Sequence, residues 1–157
     1  MEGRSTYEVL TASGYISEQP LSVRKTLVTQ ELGKRYTLDI SSGKPSALFQ
    51  VDGYIIKQGM KCDKLVLVRG REIQEEAWTQ IFVELKGHDA IHGMEQLLAT
   101  VRSAVFCHAS NMCRKARLVA TSFLSNKSNP KVEKMRQEFA RLKVDYKNLK
   151  PGQKDVV

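Results

Sequence analysis

Three residues of this chain have the types and spacing that phosphodiester chemistry uses. Glu84 and Lys86 stand two apart in IFVELKG (81–87), and Asp63 opens the segment CDKLVLVR (62–69). Side chains of an extended strand alternate between faces, so Glu84 and Lys86 share one face with Phe82. Ile81, Val83 and Leu85 fill the other. If 62–69 and 78–86 pair as a hairpin, Asp63 lies beside Glu84 and Lys86 at one end of a sheet. Mg²⁺ takes oxygen ligands, typically one or two carboxylates with waters and a substrate phosphate. Asp63 and Glu84 can supply the carboxylates and Leu85 its backbone carbonyl, and Mn²⁺ is expected to substitute. Lys86 can hold or deprotonate the attacking water, or stabilise charge on the transition state.

The elements that must position these residues can be read along the chain. The segment 22–33 is expected to form a short helix, followed by extended chain to Leu38. Ser41-Ser42-Gly43-Lys44-Pro45 has the composition of a turn. Residues 46–57, 62–69 and 78–86 read as three strands of an antiparallel meander, with a polar hairpin loop over 70–77. Residues 88–104 place Ala90, Ile91, Met94, Leu97, Leu98 and Val101 on one helix face, with His92 and Gln96 on the opposite one. A fourth strand is expected at 117–124, joined in parallel by a right-handed crossover. Asn129 can cap and Pro130 can start a second long helix, 130–144, with Val132, Met135, Phe139 and Leu142 inward. The tail after Asp145 is expected to be loose.

Asp63…Glu84-Leu85-Lys86 resembles the D…ExK signature of the PD-(D/E)xK nuclease superfamily, the fold of many restriction enzymes and Holliday-junction resolvases. The strand context is similar too: an Asp at the head of one strand, then an apolar strand ending in ExK. The resemblance covers residues 22–124, about two-thirds of the chain. It implies an α/β fold, a restriction-endonuclease-like mixed sheet with a helix–strand–strand–strand–helix–strand core, flanked by helices. It also implies a helix after the ExK strand bearing a Gln that helps shape the site, the place Gln96 takes here. Cys62 stands where many members have Pro. Many members carry a Glu on the first helix, for which Glu31 is the candidate. Asp52, in QVDGY, rivals Asp63 for the acid of the middle strand.

The 157 residues fit a single domain, with 1–21 as an N-terminal extension, 22–124 as the core and 125–157 as a basic helix and tail. No apolar run approaches the length needed to span a bilayer, and the N-terminus lacks the apolar stretch of a secretory signal. Cys62, Cys107 and Cys113 have no framework spacing, which points to a reducing, cytoplasmic setting. Cys107-His108 and Cys113 lack a fourth ligand at zinc-site spacing, and a structural role is the expectation for them. His88 and His92, just after the ExK strand, are expected to be exposed.

Charge is uneven. Residues 1–110 hold 13 Lys+Arg and 13 Asp+Glu, whereas residues 111–157 hold 12 and 4, so the whole net charge of +8 sits in the last third. A one-sided basic surface is the footprint of a polyanion binder. Lys115, Arg117, Lys127, Lys131, Lys134 and Arg141 are the candidate phosphate contacts, setting affinity rather than sequence choice. The reading is a Mg²⁺-dependent endonuclease acting on DNA. The alternatives are a non-catalytic nucleic-acid-binding protein on a nuclease-like scaffold, or a nuclease acting on RNA. A homodimer would bring two single-strand sites to one duplex, and a protein partner could supply specificity.

Overall fold

The computed structural model describes residues 4–70, 77–86, 89–123 and 129–157. Helix α1 (Thr6–Ala12) opens the chain, capped by the Ser5 hydroxyl, which accepts from the Glu8 amide. A long hairpin follows, β1 (Gln19–Glu31) and β2 (Lys34–Gln50), turning at Leu32-Gly33, both at positive φ. β3 (Lys64–Arg69) and β4 (Trp78–Leu85) continue the antiparallel run from β2. Helix α2 (Ala90–Val101) leads to β5 (Asn111–Val119), parallel to β4. Helix α3 (Pro130–Arg141) leads to β6 (Val144–Leu149), parallel to β5. A short strand, β7 (Lys154–Val156), pairs in parallel with β2. Among the described residues this is an α/β protein with three helices and a mixed, open sheet of seven strands. Its order is β1-β2-β3-β4-β5-β6, with β7 against β2. None of the described helices is long and apolar enough to cross a membrane.

Alternation along the strands divides their side chains between two cores. Phe49, Leu65, Leu67, Phe82 and Leu118 join Leu10 of α1, Met94 and Leu97 of α2, and Met135 and Phe139 of α3. Leu48, Val66, Ile81, Val83, Leu85 and Val119 join instead Leu27, Tyr36, Leu38 and Ile40. Those last four belong to the distal half of the β1–β2 hairpin, so the hairpin folds back over the sheet face that the helices leave bare. Its register shows the bend. Arg24 opposes Lys44, but Thr26 opposes Asp39, which leaves extra residues on β2. Ser42 and Gly43 lie in this bulge with φ of 68° and 64°. An irregularity of this kind bends a strand without ending it.

Several expected elements differ. Of the residues 22–33 expected as helix, 22–31 form strand and Leu32-Gly33 the turn: Leu27 and Thr29 are buried and Val28 exposed, a period of two, and the β-branched Val23, Thr26, Val28 and Thr29 favour extended chain. The 41–45 cluster bends β2 and does not reverse the chain. The strand expected over 46–57 ends at Gln50, and the strand expected over 117–124 starts earlier, at Asn111, and ends at Val119. The tail is not loose. It forms β6 and β7, and Asp155 is buried, accepting from the Tyr36 hydroxyl at 2.7 Å and the Arg117 Nε at 2.9 Å. The meander of β2, β3 and β4, the α2 crossover to a parallel strand, and α3 capped by Asn129 match the expectation. Most of the loop expected over 70–77 lies outside the described residues.

Candidate active site

The β3–β4 pairing sets the geometry. Lys64 opposes Val83, so Asp63, one residue earlier, falls opposite Glu84. Asp63 lies in phase with Leu65 and Leu67, and Glu84 with Phe82, so both carboxylates stand on the helix-covered face. The Asp63 Oδ2 accepts from the Leu85 amide at 2.8 Å. In extended chain a residue's N–H and C=O point the same way, so the Leu85 carbonyl is also turned to the Asp63 side. Lys86 Nζ lies 3.6 Å from Glu84 Oε2. The other oxygen, Glu84 Oε1, is buried with no hydrogen-bond partner among the described residues.

This arrangement is electrostatically tense. Burial, and next the charge of Asp63, push the Glu84 carboxyl up to about 8. Asp63 is raised as well, chiefly by its own burial, against the opposing pull of the Leu85 amide. A buried acid with an unpaired oxygen next to a second acid is stabilised by a proton or a cation between them. Two carboxylates and a carbonyl on one side of a strand form a hard oxygen set that suits Mg²⁺ or Mn²⁺, with waters completing the shell. Among the described residues no three His, Cys, Asp or Glu side chains gather into a larger metal-binding group.

Helix α2 holds the site together from above. A Cβ built on Gly93 would stand 2.6 Å from Leu118 Cδ1, 3.1 Å from Lys86 Cγ and 3.5 Å from Glu84 Cγ. Gly93 is therefore the point where the helix rests on the ExK strand. Gln96 does not share the outward face with His92. It is half-buried, and its Nε2 donates to the Lys61 carbonyl at 3.1 Å, while its Oε1 is buried without a partner among the described residues. One turn on, the Thr100 hydroxyl accepts from the Cys62 amide at 2.7 Å and donates to the Gln96 carbonyl at 2.7 Å. Gly93, Gln96 and Thr100, at i, i+3 and i+7, make one stripe that grips the chain entering Asp63. Sequence reasoning missed Gly93 and Thr100. A glycine inside a helical pattern was the available signal for the first; nothing distinguished the second.

The remaining candidates divide. Asp52 is exposed, 3.7 Å from Lys61 Nζ, and its charge helps to raise Asp63. Glu31 ends β1, on a strand and not a helix. Its carboxyl is raised by partial desolvation and then by Asp63, so the folded-back hairpin brings it within electrostatic reach of the site. Arg117 is corrected outright. It is 1 % exposed and pairs with Asp155 and Asp145, each at 2.9 Å, so it cannot meet a phosphate. Strand alternation puts it on the hairpin-covered face with Val119. Lys115, two residues earlier on that face, donates to the Val156 carbonyl at 3.2 Å. Lys131, Lys134 and Arg141 are exposed on α3. Lys127 and His88 lie outside the described residues. Cys107 and Cys113 are free and exposed, and Cys62 is buried under α2, its thiol pushed up by burial and by Glu84.

A scan against protein-family models, a search of curated proteins and a search of solved structures each returned no match for this chain.

Proposed function

We propose that this chain is a Mg²⁺-dependent endonuclease that hydrolyses phosphodiester bonds in DNA, on a scaffold resembling the PD-(D/E)xK nucleases. The observation that supports it most is Glu84: a buried acid with an unpaired oxygen, against Asp63 and beside Lys86. Asp63, Glu84 and the Leu85 carbonyl would hold the metal ion, which supplies Lewis-acid polarisation of the scissile phosphate and lowers the pKa of a bound water. Lys86, half-buried at the strand end, orients the attacking water by hydrogen bonding and offsets charge accumulating on the phosphoryl oxygens. Gln96 and Thr100 keep Asp63 in place through the Lys61 and Cys62 backbone. The basic surface of α3 draws the polyanion to this end of the sheet.

Incubation with plasmid and linear DNA in Mg²⁺ or Mn²⁺ tests the reading. Wild type is expected to nick or cut, and Glu84→Ala and Lys86→Ala to be inert. Equal and complete survival of DNA with all three proteins sinks it. The Glu84–Lys86 ion pair supports a second reading, in which the two residues only satisfy each other and the protein binds nucleic acid without cutting. Salt-sensitive DNA binding without any divalent-cation site is the result that favours it. Parallel digestion of RNA separates the RNA-cleaving variant.

A further inference from the structure

We propose that the groove between α2 and α3 is a track for the phosphate backbone of duplex DNA, with Glu138 as its built-in competitor. The inference rests on the reading that this chain acts on nucleic acid, and it adds where the strand runs and what restrains it. The groove holds about 540 Å³ and is lined, among the described residues, by Arg102, Lys131, Lys134 and Arg141, with Met135 and the acid Glu138. Two cross-helix ion pairs fix the alignment: Lys131 Nζ to Glu95 at 3.1 Å, and Arg102 Nη2 to Glu138 at 2.6 Å. Each helix's two partners are seven residues apart, so α2 and α3 run side by side in the same direction. They leave the same end of the sheet, because β4 and β5 are parallel. At that end Gly93 lies against Lys86. Lys131, in the first turn of α3, therefore marks the groove's end nearer the candidate active site, while the α2 side is lined by Leu98 and Arg102 from that helix's last turn. From Lys131 to Arg141 it runs about 15 Å at the helical rise.

Glu138 occupies the two arginines that would otherwise face the groove. Its Oε1 accepts from both Arg102 and Arg141, and its Oε2 from Arg141 Nε at 3.0 Å. Guanidinium forks bind phosphate in the same planar, bidentate way as carboxylate. A backbone phosphate entering the groove thus exchanges for Glu138 on these forks. Lys134 is exposed on the wall and, among the described residues, has no ion pair, so it is free to meet the first phosphate.

The test is fluorescence anisotropy with a labelled DNA duplex in EDTA, where cleavage is off. Glu138→Gln is expected to tighten binding about threefold to tenfold by freeing both arginines. Lys134→Ala is expected to weaken it about fivefold and to lower the log–log salt slope by about one. If Glu138→Gln binds equally or more weakly, Glu138 is only an interhelical brace and the proposal is overturned. Should that variant fail to fold, an unchanged affinity and salt slope in Lys134→Ala overturns it alone. Failure here with intact cleavage removes the groove but not the nuclease reading. Success here in a protein that never cuts DNA removes the nuclease reading but not the groove.

Discussion

Gly93 and Lys86 meet where α2 packs over the end of β4, and a Cβ on the glycine would sit 3.1 Å from the lysine Cγ. The helix that completes the helical core therefore also packs on Lys86, the side chain proposed to orient water. By helix propensity alone Gly93→Ala would stabilise by about 1 kcal/mol. The Cβ would instead meet Leu118 Cδ1 at 2.6 Å inside a closed core, and overpacking of this kind costs about 1–3 kcal/mol. A net loss of stability is expected in a urea melt, with a larger fall in cleavage than in DNA binding. An alanine variant as active and as stable as wild type would show that the contact does not position Lys86.

Glu84 makes metal-free stability depend on pH. Its carboxyl is raised from the ordinary 4.5 to about 8, so the folded state holds a proton that the unfolded chain releases. Its contribution is fully present below about 4.5 and is lost as pH rises through about 8. In EDTA, unfolding free energy should fall between pH 5 and pH 8, by at most about 1.4 kcal/mol per unit for one proton. Glu84→Gln, which is neutral throughout, should flatten that slope. A wild-type stability unchanged or rising over this window would contradict the electrostatics of the pair.

Thr100 is expected to matter through Cys62. Thr100→Val leaves the buried Cys62 amide without its 2.7 Å acceptor, at a cost of about 1–3 kcal/mol. Because that amide adjoins Asp63, Mn²⁺ affinity should fall too, and Thr100→Ser should restore it. A loss of stability with Mn²⁺ affinity untouched would confine Thr100 to a packing role.

The C-terminal strand is locked by the pair Arg117–Asp155, both buried, with Tyr36 as third member. Asp155→Ala leaves the Arg117 charge with only the exposed Asp145 to balance it, and removal of one partner of a buried pair costs about 3–5 kcal/mol. A chemical denaturation midpoint close to wild type would refute this.

How much was legible follows from the range of each signal. Glu84 and Lys86 share a face because alternation is local, and Asp63 joins them because a hairpin between neighbouring strands has few alternative registers. The apolar face of α2, from Ala90 to Val101, was equally readable from spacing. Arg117 was misread because a strand's two faces look alike until one knows what covers each. Here the cover comes from Tyr36 and Asp155, both remote from Arg117 along the chain. The 22–33 segment was misread because a bent, edge-lying strand buries only Leu27 and Thr29, which leaves its polar residues free to imitate a helix. Glu31 came within electrostatic reach of Asp63 by that same bend, which no local pattern announces.

Titration of metal-free protein with Mn²⁺ at pH 7, by calorimetry in two buffers of different ionisation heat, tests the central claim most directly. A carboxyl raised to about 8 is mostly protonated at pH 7, so a cation seated between Asp63 and Glu84 must expel that proton. The expected result is one saturable site that releases about one proton, and that is lost in both Asp63→Asn and Glu84→Gln. No saturable heat in wild type, or an isotherm unchanged by either substitution, would contradict the account.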